Sequence, residues 1–163
     1  MAQIQPVPLT PSLRRALDER LLLIYTGQRR LAKDLLRSMM ARYMARDPQM
    51  LSMLGEIASL AREMHAALLA QDLDAFGALI AQHWGINVRM DPGCTNPFID
   101  DLLAFCRPYL SGAKLAGAGG GGFAVGLARD ADAAKALRLA LAVRYPQSEV
   151  RPWPCAVAQT AVE

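Results

Sequence analysis

Apolar positions follow two rhythms along this chain. Residues 20–26, RLLLIYT, form a short unbroken apolar run with a β-branched and an aromatic residue, closed by Gly27. The run predicts a buried strand. The spacing then changes to steps of four at Leu31, Leu35, Met39 and Tyr43, which predicts an amphipathic helix. Asp47-Pro48 breaks that helix and restarts the next, with the Asp as cap and the Pro in the first turn. Ile57, Leu60, Met64 and Leu68 give the next buried stripe. Asp72 opens a third helix with Leu73, Phe76, Ile80 and Trp84 inward.

Residues 87–97, NVRMDPGCTNP, read as a loop because they carry two prolines, a glycine and two asparagines. Residues 98–110 read as another helix, ended near Pro108. Residues 123–128 and 148–153 read as strands, and the alanine-rich residues 130–144 between them as a helix. The methionines at 39, 40, 44, 50, 53 and 64 read as core filler. Residues 1–12 hold three prolines and predict an extended start, so residues 1–19 are set aside as a lead-in and 20–163 as the domain. The strands are too few and too far apart for a repeating βαβ array. The order predicts an α+β layer with helices packed on a small sheet.

Composition narrows the classes. At 163 residues, with 53% hydrophobic and 20% charged, the chain suits one globular domain. The net charge of +3 comes from basic residues scattered among acids, and aromatics make up 6%. This predicts no nucleic-acid partner, because neither a basic stripe nor interleaved stacking rings stands out. Three cysteines without CxxC spacing predict a reduced, cytoplasmic protein. No membrane association is expected, since no apolar run reaches the ~18 residues of a spanning helix. His65 is expected at the surface and His83 half-buried beside Trp84, and no metal site is expected from either.

The chemistry-bearing stretch is KLAGAGGGGF, residues 114–123. Gly117, Gly119 and Gly122 spell GxGxxG, but a dinucleotide fingerprint needs a strand before it and a helix after it. Here a strand pattern follows. No Gly-Lys-Ser/Thr ends the stretch, so it is not a phosphate-binding P-loop either. What remains is physical: successive residues without Cβ tolerate positive φ, admit close approach, and line anion-binding concavities with their amides. The alternative is a tight turn whose glycines serve packing alone. Lys114 is a candidate phosphate contact or an ordinary solvated side chain.

Two further stretches are candidates. YTGQRR places Thr26 and Gly27 at a strand end with Arg30 entering a helix, a favoured ligand position, or else a plain turn. DPGCT offers Asp91, Gly93, Cys94 and Thr95 as a substrate loop, although Pro-Gly is also an ordinary turn. Cys94 has no neighbouring base and reads as a quiet thiol rather than a nucleophile.

Together these stretches resemble the GHMP small-molecule kinases. KLAGAGGGGF is similar to that family's third, C-terminal motif, and YTGQRRLAKDLL with DPGCTNP resembles its L-fucokinase branch. The resemblance covers about residues 20–130; the heptose-phosphate kinase branch shares the YTG-xx-R segment and is the runner-up. It implies a ferredoxin-like α+β C-terminal domain with a mainly antiparallel sheet. It also implies phosphoryl transfer from ATP, with Mg²⁺, to the anomeric hydroxyl of a sugar. Gly117, Ala118, Gly119, Gly120, Gly121 and Gly122, with Lys114, are then expected on the ATP-phosphate side. Thr26, Gly27, Arg30, Asp91, Gly93, Cys94 and Thr95 are expected on the sugar side. The family's ATP loop, PxxxGLGSSAA in type, has no counterpart here. A separate N-terminal domain, in cis or in trans, is therefore the expected partner. No catalytic residue and no firmly held ATP or magnesium are expected of this chain by itself. A stand-alone anion-binding or partner-binding module is the reading from another class.

Overall fold

The computed structural model describes residues 7–29 and 33–158. Arg30 and Leu31 lie outside the described residues. Residues 7–10 form neither helix nor strand, and a helix, α1 (Pro11–Arg20), occupies the rest of the stretch set aside as a lead-in. Pro11 stands in the first helical turn, where a missing N–H is harmless, and the Thr10 hydroxyl accepts the Leu13 N–H at 3.2 Å. Of the three prolines, Pro11 marks a helix start rather than extended chain.

Among the described residues four strands follow in chain order: β1 (Leu21–Tyr25), β2 (Leu110–Leu115), β3 (Phe123–Ala128) and β4 (Arg151–Trp153). They form one antiparallel sheet in the order β2-β3-β1-β4. Between β1 and β2 lie α2 (Lys33–Met44), α3 (Pro48–Leu69), α4 (Leu73–Met90) and α5 (Pro97–Cys106). Between β3 and β4 lies α6 (Ala131–Arg144). Two split βαβ units interleaved in this way make the ferredoxin-like layer. The caps expected from sequence do start their helices: Asp47 accepts from Gln49 and Met50, and Asp72 from Ala75. Asn96 and Asp130 cap α5 and α6.

Two boundaries differ from the reading above. The loop expected from residue 87 begins only after Met90, because α4 continues and Asn87 is buried on it. Strand β2, LSGAKL, went unseen, since it has no β-branched residue and its smallest member is there for packing. An added Cβ on Gly112 would drive into the Gly77 backbone carbonyl, and one on Gly77 would overlap the Ser111 Cβ. Two glycines thus let α4 lie directly on β2.

The main core lies between one sheet face and helices α5 and α6: Leu22, Ile24 and Leu115 meet Ile99, Leu102 and Leu137. At the far end of the other face, Leu127 packs with Leu13, Leu17, Leu73 and Ile80. Helix α3 packs on α4 through Met50, Met53, Leu60 and Ile86. Helix α2 has α3 as its principal neighbour, so Leu35 is buried while Met40 and Met44 are 64% and 75% exposed. These two methionines are not core filler, and Tyr43 faces outward rather than inward.

Gly55 and Gly85 sit within α3 and α4, where an added Cβ meets nothing within 4 Å. Alanine at either position is expected to stabilise the domain by about 0.5–1 kcal/mol, from lower unfolded-state entropy and better helix propensity. Urea unfolding of the two variants checks this; a loss of stability would contradict the open surroundings.

Candidate functional site

The glycine stretch is the β2–β3 hairpin loop. It closes where the Ala116 N–H donates to the Phe123 carbonyl at 2.8 Å. Two of its amides turn into the protein. The Gly120 N–H donates to the Cys94 carbonyl at 2.5 Å, and the Gly122 N–H to the Gln28 carbonyl at 2.8 Å. The loop therefore binds both other motifs, YTGQ and DPGCT, through backbone hydrogen bonds.

Glycine is required where the approach is closest. At Gly119 φ is +90°, and an added Cβ would stand 2.5 Å from the Cys94 carbonyl oxygen. At Gly121 φ is +154°, and the Cβ would stand 2.8 Å from the Gln28 carbonyl oxygen. Gly117 differs: it too has positive φ, but it faces open space. Ala118 is half-buried beside it, and Gly120 is buried.

Thr26 is wholly buried and acts as a clamp. Its N–H and its hydroxyl both donate to the Gly122 carbonyl, at 2.8 and 2.9 Å, and its Oγ1 accepts the Gln28 N–H at 3.3 Å. Gly27 turns the chain with φ +72° against Glu149 and Val150. The Asp91 carboxylate accepts the Gly93 N–H at 2.8 Å and caps the short 3-10 turn Pro92–Cys94. The Thr95 hydroxyl donates to Asp100 at 2.6 Å. Gln28 went unnoticed in sequence although it joins all three segments: its carbonyl holds Gly122, and its side-chain oxygen accepts from Asn96 Nδ2 at 2.8 Å. A lone Gln in a turn carries no signal of that role.

Lys114 belongs to β2 rather than to the loop, with its side chain on the sheet face opposite the main core. Burial pushes its ammonium below the ordinary lysine value. Burial, and secondarily the Lys114 charge, lower the pKa of His83. Among the described residues no group of three His, Cys, Asp or Glu side chains gathers as a metal site would require.

Cys94 is fully buried, and burial, followed by the charges of Asp91 and Asp100, pushes its thiol up to about 11. Burial pushes the Cys106 thiol up to about 12. The folded domain holds both protons more tightly than the unfolded chain, whose thiols titrate near 9.0. Their stabilising contribution is full below pH 9 and is lost as pH rises from there toward the folded values. At pH 8, a thiol reagent such as Ellman's is expected to titrate Cys155, which is partly exposed, and to reach Cys94 and Cys106 only in denaturant. Rapid native reaction of Cys94 would contradict its burial.

Fold and loop together define a ferredoxin-like α+β domain organised around a glycine hairpin that three separated segments share. Residues 64–147, just over half of the chain, match the family model described as GHMP kinases C terminal. The chain belongs to the GHMP kinase C-terminal family. It is 41% identical over 136 residues to the bifunctional fucokinase/GDP-fucose pyrophosphorylase of Arabidopsis thaliana, covering 83% of this chain and 13% of that protein. It is 32% identical over 130 residues to the L-fucokinase/L-fucose-1-P guanylyltransferase of Bacteroides fragilis, covering 80% of this chain and 14% of that one. The chain thus spans a small part of the curated relatives' length. Among solved structures, L. major mevalonate kinase in complex with R-mevalonate is similar at a TM-score of 0.74 and 22% identity, over 91% of this chain and 43% of that one. Lactococcus lactis galactokinase complexed with galactose is similar at 0.61 and 17%, over 94% and 49%. At those identities the likeness concerns the fold.

Proposed function

We propose that this chain is the C-terminal domain of an ATP-dependent sugar 1-kinase that phosphorylates L-fucose. The observation that carries the reading is the 41% identity, over most of the chain, to a protein named for fucokinase activity. That relative is bifunctional, and this chain's match to the GHMP kinase C-terminal model supports the kinase half of its name.

The domain's own contribution is positional. The hairpin is hydrogen-bonded to Thr26, Gln28 and Cys94 at the end of β1, with Gly117 facing outward. We assign that outer rim to the ATP-phosphate side and the Asp91–Thr95 turn to the sugar side. Thr26 and Cys94 act there as positioning residues, since both are buried. When bound, ATP supplies the phosphoryl group, and magnesium neutralises its developing charge. Among the described residues no group of three His, Cys, Asp or Glu side chains gathers. We place the metal ligands, the ATP loop and the acid/base carboxylate on a partner domain, in cis or in trans. Buried unpaired thiols at Cys94 and Cys106 suit a reducing compartment, and we place the protein in the cytoplasm. Among the described residues no helix is long and apolar enough to cross a membrane.

The test is fucose-dependent ADP release. The purified chain is expected to show none. Turnover at an ordinary kinase rate, roughly 1–100 s⁻¹, is expected once the ATP-loop domain of a fucokinase is joined to it. Kinase turnover by the chain alone would overturn the division of labour.

A further inference from the structure

Strand β2 ends the sheet: in the order β2-β3-β1-β4 it has a neighbour on one side only among the described residues. The Ala116 N–H donates to the Phe123 carbonyl at 2.8 Å. Pairing along an antiparallel ladder alternates, so Lys114 and Gly112 also turn their peptide groups toward β3. Ala113 and Leu115 turn theirs outward. Outside the ladder, no hydrogen bond among the described residues takes up those outward groups. An edge of this kind is a template for another extended chain.

The edge lies in a groove of about 520 Å³ between α4 and α5. Half-buried Trp84 and Leu103 give the groove its apolar lining. Gly85, Ala104, Gly112 and Ala113 also line it, so a second backbone can come close without meeting long side chains. The rim carries charge of both signs. Asp100 and Arg107 stand seven residues apart on the α5 side, about 10 Å along the helix axis. Among the described residues no cation pairs with Asp100 and no carboxylate with Arg107. Helix α5 turns back into β2 through the short turn Arg107–Tyr109. Arg107 therefore flanks the start of β2, and Asp100 lies further along it.

Unmade backbone hydrogen bonds at the floor of an apolar cleft complement an extended peptide, and the rim charges set its direction. A strand antiparallel to β2 brings its C-terminal end to Arg107 and its N-terminal end to Asp100. We propose that this groove binds an extended segment of a partner protein by β-strand addition, antiparallel to β2, with a basic side chain near the segment's N-terminal end and an acidic one near its C-terminal end. A second copy of this chain does not fit. Its own β2 is recessed between its own helices, so the two edges cannot meet, and the bulge between Leu110 and Gly112 shortens the ladder. The Ala113 side chain points to the main core, on the α5 side. Partner residues opposite it therefore face α5 and aim their N–H groups at β2, while the residues between them do neither. The groove stands on the described chain alone and does not depend on the kinase assignment.

Fluorescence titration of the full chain carrying Trp153→Phe, in which Trp84 is the remaining tryptophan, tests it. The probe is a blocked heptapeptide with lysine second, valine fourth, glutamate sixth and threonine elsewhere. It is expected to bind one-to-one and to shift the Trp84 emission. Methylating the backbone nitrogen of its fourth residue should weaken binding at least about tenfold, and methylating that of its third residue less than about twofold. Exchanging the lysine and the glutamate should weaken binding about fivefold, and Arg107→Glu should erase the difference between the two peptides. Ala104→Phe, at an exposed position, should fill the groove and abolish binding with the circular dichroism unchanged. No emission shift up to millimolar peptide would overturn the proposal. So would equal effects of the two methylations, a preference for the exchanged peptide, or full binding by folded Ala104→Phe. Sedimentation showing a dimer that Ala104→Phe dissociates would give the edge to a second copy and overturn it too. None of these outcomes bears on fucose-dependent ADP release, so this reading and the kinase reading fail separately.

Discussion

Gly112→Ala is expected to destabilise the domain by about 3–5 kcal/mol, enough to leave much of it unfolded under ordinary conditions. The new methyl group would enter the Gly77 carbonyl, a backbone atom within α4. No rotamer relieves such a clash, so the whole helix must lift from β2. That contact is among the most extensive between elements of the fold, and α3 rides on the same helix. Gly77→Ala should be costly for the reciprocal reason, tempered by about 1 kcal/mol of helix propensity. Once either substitution has moved the helix, the second has less to clash with. The double variant should therefore cost clearly less than the sum of the two singles. Urea unfolding measures all three. A Gly112→Ala cost within 1 kcal/mol of zero would show that α4 does not lie where the structure puts it.

The second large effect is expected in the hairpin. Gly119→Ala and Gly121→Ala each combine an unfavourable backbone conformation with a clash against a carbonyl, at Cys94 and at Gln28. Each is expected to cost about 2–4 kcal/mol. Gly117→Ala, with φ +67° and open surroundings, should cost only about 1 kcal/mol. Activity should separate the positions further. In a kinase reconstituted with its ATP-loop domain, displacing the hairpin by about 1 Å is expected to lower kcat about 100-fold. Gly119→Ala should show that loss per folded molecule, while Gly117→Ala stays within a few-fold. Unchanged turnover per folded Gly119→Ala molecule would make the loop purely structural and remove its place at the ATP side.

Much of the fold was legible before any coordinates. The apolar stripes and the Asp caps announced α3 and α4, and the alanine-rich run announced α6, because helix periodicity, cap chemistry and helix propensity are local. Strand β1 and strand β3 were legible as apolar runs. Strand β2 was not: its Gly112 answers to Gly77, far away in sequence, and local propensity speaks against a strand there. Helix α2 failed in the opposite direction. Its stripe and its methionines were read as buried, but tertiary packing supplied one principal neighbour, and Met40, Tyr43 and Met44 were left in solvent.

The candidate site divides along the same line. The letters KLAGAGGGGF, YTGQ and DPGCT were visible as three separate stretches, and their resemblance to a kinase family rested on letters alone. By itself, the sequence determined that the glycine-rich residues 117–122 would leave the backbone largely free of side-chain obstruction, and that Asp47 and Asp72 would begin helices; the caps at Asn96 and Asp130 came to light only in the structure. Only the tertiary structure decided that the turn would be bonded to Gln28 and Cys94. It also decided that Thr26 would clamp Gly122, and that Tyr25, Phe123 and Trp153 would share one face of the sheet. Turns and caps depend on a few neighbouring dihedrals and hydrogen bonds. Which carbonyl receives a glycine amide, and which rings meet, depends on how strands distant in the chain register against one another.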